Sequence, residues 1–313
     1  MKTFRLVAIG SSGFSRVRCF TARHPTLRKA KDCDLDALVA KIMKYWHDVT
    51  TARILYSLGE DYDSLIFNDE MSFPFEVHAS YIYEQLGISR AWVKSLGFEK
   101  MCVTVLFMFT GSGRKLGVWF VFAGEHGKRL AKSSSSWEAE LLPGGDKKAF
   151  FFFRKPAWMS TSLYGRCLWQ ARKVWEEKYA KEGHPDPRQK HAHIVHDRAP
   201  AHTHEDTTAL LKKLNMSETY VDPTALLQVL DVALARCIRA GYLRRQLEYF
   251  RDFPKTEGSP GVAVLRKLIV QWVCAAFYDD VPEELIVHTC RETGLISFDI
   301  DFPLPPPLTQ NLR

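Results

Sequence analysis

An α/β domain is the fold class the sequence predicts, and three observations carry that reading. Two apolar runs, Cys102 to Phe109 and Leu116 to Ala123, are joined by Thr110-Gly111-Ser112-Gly113, whose glycine and serine content marks a hairpin turn. Two shorter apolar segments, Leu65-Ile66-Phe67 and His191 to His196, each run up to an aspartate. Amphipathic helical stretches stand between them, so strand, hairpin, helix, strand, helix, strand and helix succeed one another without a regular βαβ repeat.

Taken in order, residues 1–31 are basic and mixed. Apolar residues at 35, 38, 39, 42, 43, 46 and 49 then predict a helix from Asp34, its N-cap, to about Ser57. A strand follows and ends at Asp69, and the hairpin comes next. The polar stretch 127–148, with its serine run and Pro-Gly-Gly, is expected to be a surface loop. Met159 to Tyr179 is helical, with Leu163, Cys167, Leu168, Ala171, Val174 and Trp175 as its apolar stripe. His191 to His196 is a strand, Glu205 to Leu214 a helix, Glu218 to Val221 a strand, and Leu226 to Phe250 a long arginine-rich helix. Two more helices are expected at about 260–278 and 282–293. Pro282 stands in the first turn of the second, Glu283 and Glu284 follow it, and Gly294 closes it. Four prolines between Phe302 and Leu308 predict an extended tail.

The bulk composition excludes some classes of function. No apolar run approaches the roughly 18 residues of a membrane span, and the first residues lack the long apolar core of a signal peptide. Seven cysteines are scattered without a CxxC pair, the pattern of a reduced intracellular protein with its cysteines in the core. The formal charge of +7 favours a polyanionic partner.

Asp69, Asp197 and Asp231 each follow an apolar element, in the words LIFND, HIVHD and LLQVLD. Aspartates after strands usually serve turns or helix caps. Three on rigid elements can instead converge as hard oxygen ligands for a pair of divalent ions, the arrangement that phosphodiester chemistry uses. Their mutual repulsion makes a cation necessary to such a cluster.

The wording around these acids resembles the DDE superfamily endonucleases of pogo, Tigger and jerky type, relatives of mariner transposases. Asn68-Asp69-Glu70-Met71 is similar to the family's Asn-x-Asp-Glu-Thr but one residue tighter. Gly87 and the run Glu99 to Val105 fit its next strand, and Ser112 to Leu116 with Phe122-Ala123-Gly124 fit its hairpin. Ala157-Trp158-Met159-Ser160 fits its helix start. At the second acid Asp197-Arg198-Ala199-Pro200-Ala201-His202 stands where the family has Asp-Asn-x-x-Ala-His, and at the third Thr224 to Asp231 stands for Thr-x-x-x-Gln-Pro-Leu-Asp. The resemblance spans roughly residues 14 to 296 and implies an RNase H-like mixed sheet flanked by helices, with a C-terminal helical extension.

The same resemblance implies three segments. Residues 1–60 would be helical with a helix-turn-helix remnant around Ser12 to Arg28, 61–253 the catalytic domain, and 254–313 the C-terminal helices and tail. It further implies two Mg2+ (or Mn2+) ions on Asp69, Asp197 and Asp231, metal-dependent DNA cleavage and strand transfer, DNA as partner and the nucleus as location, with a homodimer left open. Arg198, His202, Arg236 and Arg239 are the expected nucleic-acid contacts. Departures at Arg198, Ser112 and Val229 keep an alternative open: a catalytically inactive, domesticated domain that binds nucleic acid.

Competing readings attach to single residues. His191, His193, His196, His202 and His204 crowd Asp197 and could be a zinc site, although no cysteine lies nearby. His202 could instead cap the following helix. Arg236, Arg239, Arg244 and Arg245 are either phosphate contacts or a solvated helix face. Trp158 and Trp175 read as core residues before stacking platforms.

Overall fold

The computed structural model describes residues 4–8, 35–58, 61–76, 81–85, 101–124, 142, 147–155, 157–183, 186–221, 227–252 and 260–294. The expectations for Asp34, the helix-turn-helix remnant, Gly87, Glu99, Lys100, most of the 127–148 loop, Thr224 to Leu226 and the proline-rich tail lie outside them.

Six strands form the central sheet: β2 (Leu65–Pro74), β4 (Cys102–Thr110), β5 (Lys115–Ala123), β6 (Ala149–Arg154), β7 (Ala192–His196) and β8 (Met216–Tyr220). Their order is β6-β5-β4-β2-β7-β8. The β2–β4 and β4–β5 pairs are antiparallel, whereas β2–β7, β7–β8 and β5–β6 are parallel. Three antiparallel strands continued by two parallel ones are the RNase H-like arrangement, here with β6 added along the outer side of β5. A separate antiparallel ribbon pairs β1 (Phe4–Ala8) with β3 (Tyr81–Gln85).

Period-two alternation sends the side chains of each strand to two different cores. Phe67, Met71, Val105, Phe107, Phe120 and Phe122 face one; Ile66, Leu106, Met108, Trp119 and Val121 face the other. The first face is covered by α1 (Leu35–Leu55), α4 (Ala235–Asp252), α5 (Val262–Tyr278) and α6 (Glu283–Glu292). The second is covered by α2 (Thr161–Lys181) and α3 (Glu205–Lys213). Both faces of β5 are therefore dry, which is why it reads as a continuous apolar run rather than an alternating one.

The expected helices and the hairpin are present. Ser160 caps α2 by accepting the Leu163 N–H, and the stripe from Leu163 to Trp175 is buried. Pro282 stands at the N-cap of α6, one position earlier than expected. Gly294 closes α6 at φ +79°, with Trp46 of α1 so close that a Cβ there would lie 2.8 Å from its indole nitrogen. That indole donates to the Thr293 carbonyl at 3.1 Å, fastening the first helix to the last.

Several expectations need correction. Asp69 does not end its strand: β2 runs on to Pro74 because β4 pairs with it along the whole length, to Pro74↔Cys102. Residues 149–154, Ala-Phe-Phe-Phe-Phe-Arg, form a strand that was not expected. Cys102 is exposed and Cys237 partly so, unlike the buried Cys167, Cys274 and Cys290. Trp175 is core, its indole donating to the Asp63 carbonyl at 2.9 Å, but Trp158 is 75% exposed. No described helix is long and apolar enough to cross a membrane.

Candidate active site

β2 pairs with β7 only as far as Phe67↔Val195. Continuing that register by two residues brings Asp69 opposite Asp197, which stands one position past the end of β7. The two acids thus meet where neighbouring strands part and the sheet stops filling the space between them. The third arrives from the helical side. The Gln228 amide donates to the Asn68 carbonyl at 2.8 Å, pinning the start of the arginine-rich helix one residue before Asp69. A π turn, Leu230–Leu234, follows and carries Asp231 in its first turn.

The three carboxylates influence one another electrostatically. Asp69 has its pKa raised to about 7, first by burial and then by the Asp231 and Asp197 carboxylates, against the Glu70 N–H that it accepts at 2.8 Å. Asp231 is exposed, yet desolvation still raises its pKa; Asp197 adds to this and Arg239 opposes it. Burial alone would raise Asp197 too, but its pKa is lowered because hydrogen bonds from His202 and the Ala199 N–H outweigh the desolvation.

In kind, three aspartates fit a hard divalent cation. In position they form a loose group: among the described residues no three His, Cys, Asp or Glu side chains gather as the ligands of one ion. The two observations are compatible, since repulsion between carboxylates reaches across distances at which no coordination sphere is shared.

Alternation places Glu70, the neighbour of Asp69, on the opposite face of the sheet. There it lies near His202, whose Nε2 is 3.9 Å from Glu70 Oε1, while His202 Nδ1 reaches Asp197 Oδ1 at 2.6 Å. Burial raises the Glu70 pKa, His202 opposes that, and Asp197 adds to it.

His202 does not cap α3; His204 does, accepting the Asp206 N–H at 3.2 Å. The zinc alternative also fails, because the ring nitrogens of His191 and His193 are occupied by an ordered row of hydrogen bonds. Asn215 donates its amide to the Gln189 carbonyl, so its Oδ1 accepts from His191 Nδ1–H. His191 Nε2 then accepts from Ser217, whose oxygen accepts from His193 Nδ1–H, and His193 Nε2 accepts from Thr219.

The arginines divide. Arg245 pairs with both oxygens of Asp280, with Nη2 at 2.9 Å from Oδ1, and Arg244 reaches the same carboxylate at 3.2 Å. These two clamp α4 to the turn that follows α5. Arg236 and Arg239 are exposed on α4. Arg198 lies over the Tyr220 ring at 5.1 Å and makes no ion pair with Asp197. Ser112, where the family resemblance expects an aspartate, donates to Asp63 Oδ1 at 2.6 Å and helps fix the hairpin.

Among solved structures, the chain is similar to the catalytic domain of Mos1 mariner transposase, at 12% identity and a TM-score of 0.44 over 81% of this chain and 88% of that one. It is also similar to the Mos1 transposase paired-end complex with the left transposon end, at 11% and 0.45, over 89% and 67%. A third is the Mos1 catalytic domain with Raltegravir and Mn, at 12% and 0.43, over 82% and 90%. No protein-family model and no curated protein matches the chain. Likeness at this level carries no site residue across; the fold rests on strand order and direction, and the site on its own residues.

Proposed function

We propose that this chain is a metal-dependent nucleic-acid strand-cleaving and strand-transfer domain of the transposase type, with Asp69, Asp197 and Asp231 as the ligands of two Mg2+ or Mn2+ ions. The observation that carries the reading is electrostatic. Three aspartates come from β2, the end of β7 and the start of the arginine-rich helix, and the Asp231 and Asp197 carboxylates add to the burial that raises the pKa of Asp69 to about 7. Such repulsion is relieved by a proton on Asp69 or by a divalent cation, and the hard carboxylate oxygens suit the cation. Bound there, divalent ions would activate a water or 3′-hydroxyl and stabilise the leaving oxygen.

The chain's own residues supply the rest. Gln228 holds the helix bearing Asp231 against β2. Arg236 and Arg239, exposed beyond Asp231, fit phosphate contacts, as does Arg198 at the rim. DNA is the partner the charge of +7 favours, and nuclear residence belongs to the same reading.

Supercoiled plasmid incubated with the protein and Mg2+ or Mn2+ tests the proposal. Nicking by the wild type and none by Asp197→Ala is expected; equal behaviour of the two refutes it. A second reading, a domesticated domain that binds nucleic acid without cutting, is favoured by the acids' not being gathered around one point. Its signature is DNA retention that falls steeply with salt, without nicking.

A further inference from the structure

We infer that His202 is the positioning residue of this site: it fixes one oxygen of Asp197 so that the other is presented to the cation. The inference rests on the metal-dependent reading above and deepens it.

His202 is 2% exposed, and Nδ1 faces two acceptors, Asp197 Oδ1 at 2.6 Å and the Asp197 carbonyl at 3.3 Å. Two acceptors leave Nδ1 only the role of donor. Asp197 Oδ1 also accepts the Ala199 N–H at 3.2 Å, whereas Oδ2 accepts no hydrogen bond from any described residue. One carboxylate oxygen is thus held by the protein and the other is left to ligate.

The ring cannot turn away. It stacks on His196 with centroids 4.9 Å apart and planes at 10°, and it lies 4.2 Å from the Tyr164 ring. Those two are themselves fixed, Tyr164 OH being 2.8 Å from His196 Nδ1 and receiving the Asn68 amide at 2.6 Å. The turn Ala199–His202, closed by the His202 N–H on the Ala199 carbonyl at 2.9 Å, sets the reach from Asp197. Strands β2 and β7 and helix α2 therefore converge on one imidazole.

A packing histidine would need nothing more, but His202 Nε2 is buried without a hydrogen-bond partner and points toward Glu70 Oε1, 3.9 Å away. The neighbouring candidate for the role, Arg198, lies over the Tyr220 ring rather than against the Asp197 carboxylate. Partners that orient a metal's ligands without touching the metal are worth about 10–100-fold in affinity.

Mn2+ titration calorimetry on the full chain tests this, beside thermal melts in chelator that establish each variant as folded. Asparagine places an amide N–H where Nδ1 stood; glutamine reaches only toward Nε2; leucine replaces neither. His202→Asn is expected to bind Mn2+ within a few-fold of the wild type, and His202→Leu about 10–100-fold more weakly. A folded His202→Leu with wild-type affinity overturns the proposal and leaves the metal site standing. Where His202→Leu fails to fold, equal affinity of His202→Asn and His202→Gln overturns it instead. No Mn2+ uptake by the wild type removes the metal-dependent reading itself, and this proposal with it.

Discussion

Lowering the pH from 7 to 5 is expected to destabilise this protein by about 2 kcal/mol through His193 alone. The ring is 1% exposed. Ser217 and Thr219 take its two nitrogens, and the other groups facing it are His191, His196 and Glu218. Burial is the largest cause that lowers its pKa to about 3; positive charge on His191 or His196 adds to it, and Glu218 opposes. An unfolded chain takes up this proton near pH 6.5, but the folded chain refuses it until about pH 3. Stability is therefore complete above about pH 6.5 and lost as the pH falls toward 3. At pH 5 the unfolded group lies about 1.5 pH units below its midpoint, at ~1.36 kcal/mol for each. Circular-dichroism melts at pH 7, 6 and 5 should show a drop of several degrees for the wild type and a shallower one for His193→Gln. Some slope survives in the variant because burial also lowers His191 and His196. If His193→Gln loses as much between pH 7 and 5 as the wild type does, the assignment of this linkage to His193 is wrong.

Four further outcomes follow from particular contacts. Asp69→Asn should melt higher than the wild type at pH 8 in chelator, by about 1–3 kcal/mol. A folded pKa near 7 against 3.8 means that ionising this acid costs stability as pH rises; a lower melting temperature would contradict the cost that burial and the neighbouring carboxylates put on this charge. Added Mn2+ should then stabilise the wild type and leave Asp69→Asn nearly unmoved, which paired melts would read directly. Gly241→Ala should cost about 1–3 kcal/mol by denaturant unfolding, since a Cβ there collides with the Asp280 carboxylate that Arg244 and Arg245 hold. Gln228→Leu removes the donor to the buried Asn68 carbonyl and should cost about 1–3 kcal/mol; an unchanged unfolding midpoint would show that the pin does not matter.

How much was legible in the sequence depends on the range of the interaction. The hairpin and α2 declared themselves because turn chemistry and helical periodicity are local. β6 was missed although four consecutive phenylalanines are a buried-strand signal and Pro143-Gly144-Gly145 precedes them, because that turn signal was absorbed into the long polar stretch as part of one loop. Asp69 was placed at a strand end because the apolar run stops there, but what continues β2 is pairing with β4, which lies about forty positions on in sequence. Arg244 and Arg245 looked like a cationic helix face because Asp280 is on another helix. The three acids could be named as candidates from their words alone; that His202, rather than Arg198, meets Asp197 could not, as it depends on the turn between them and on rings from other elements. Trp158 was expected inside because of its type, and its exposure has no sequence signal.

The π turn beneath Asp231 makes chain length itself a determinant here. A π turn holds one residue more than the α turn it replaces, and each residue swings a helix face by about 100°. Deleting Val232 or Ala233 would restore a regular α-helix without touching an acid or a base. It would also rotate Asp231 away from Arg239 and the two strand-borne aspartates, or carry α4 round so that Arg245 no longer met Asp280. Surface substitutions along this helix can be absorbed one at a time, but a one-residue deletion cannot, because two unrelated anchors on either side of the widened turn are kept in phase by a count.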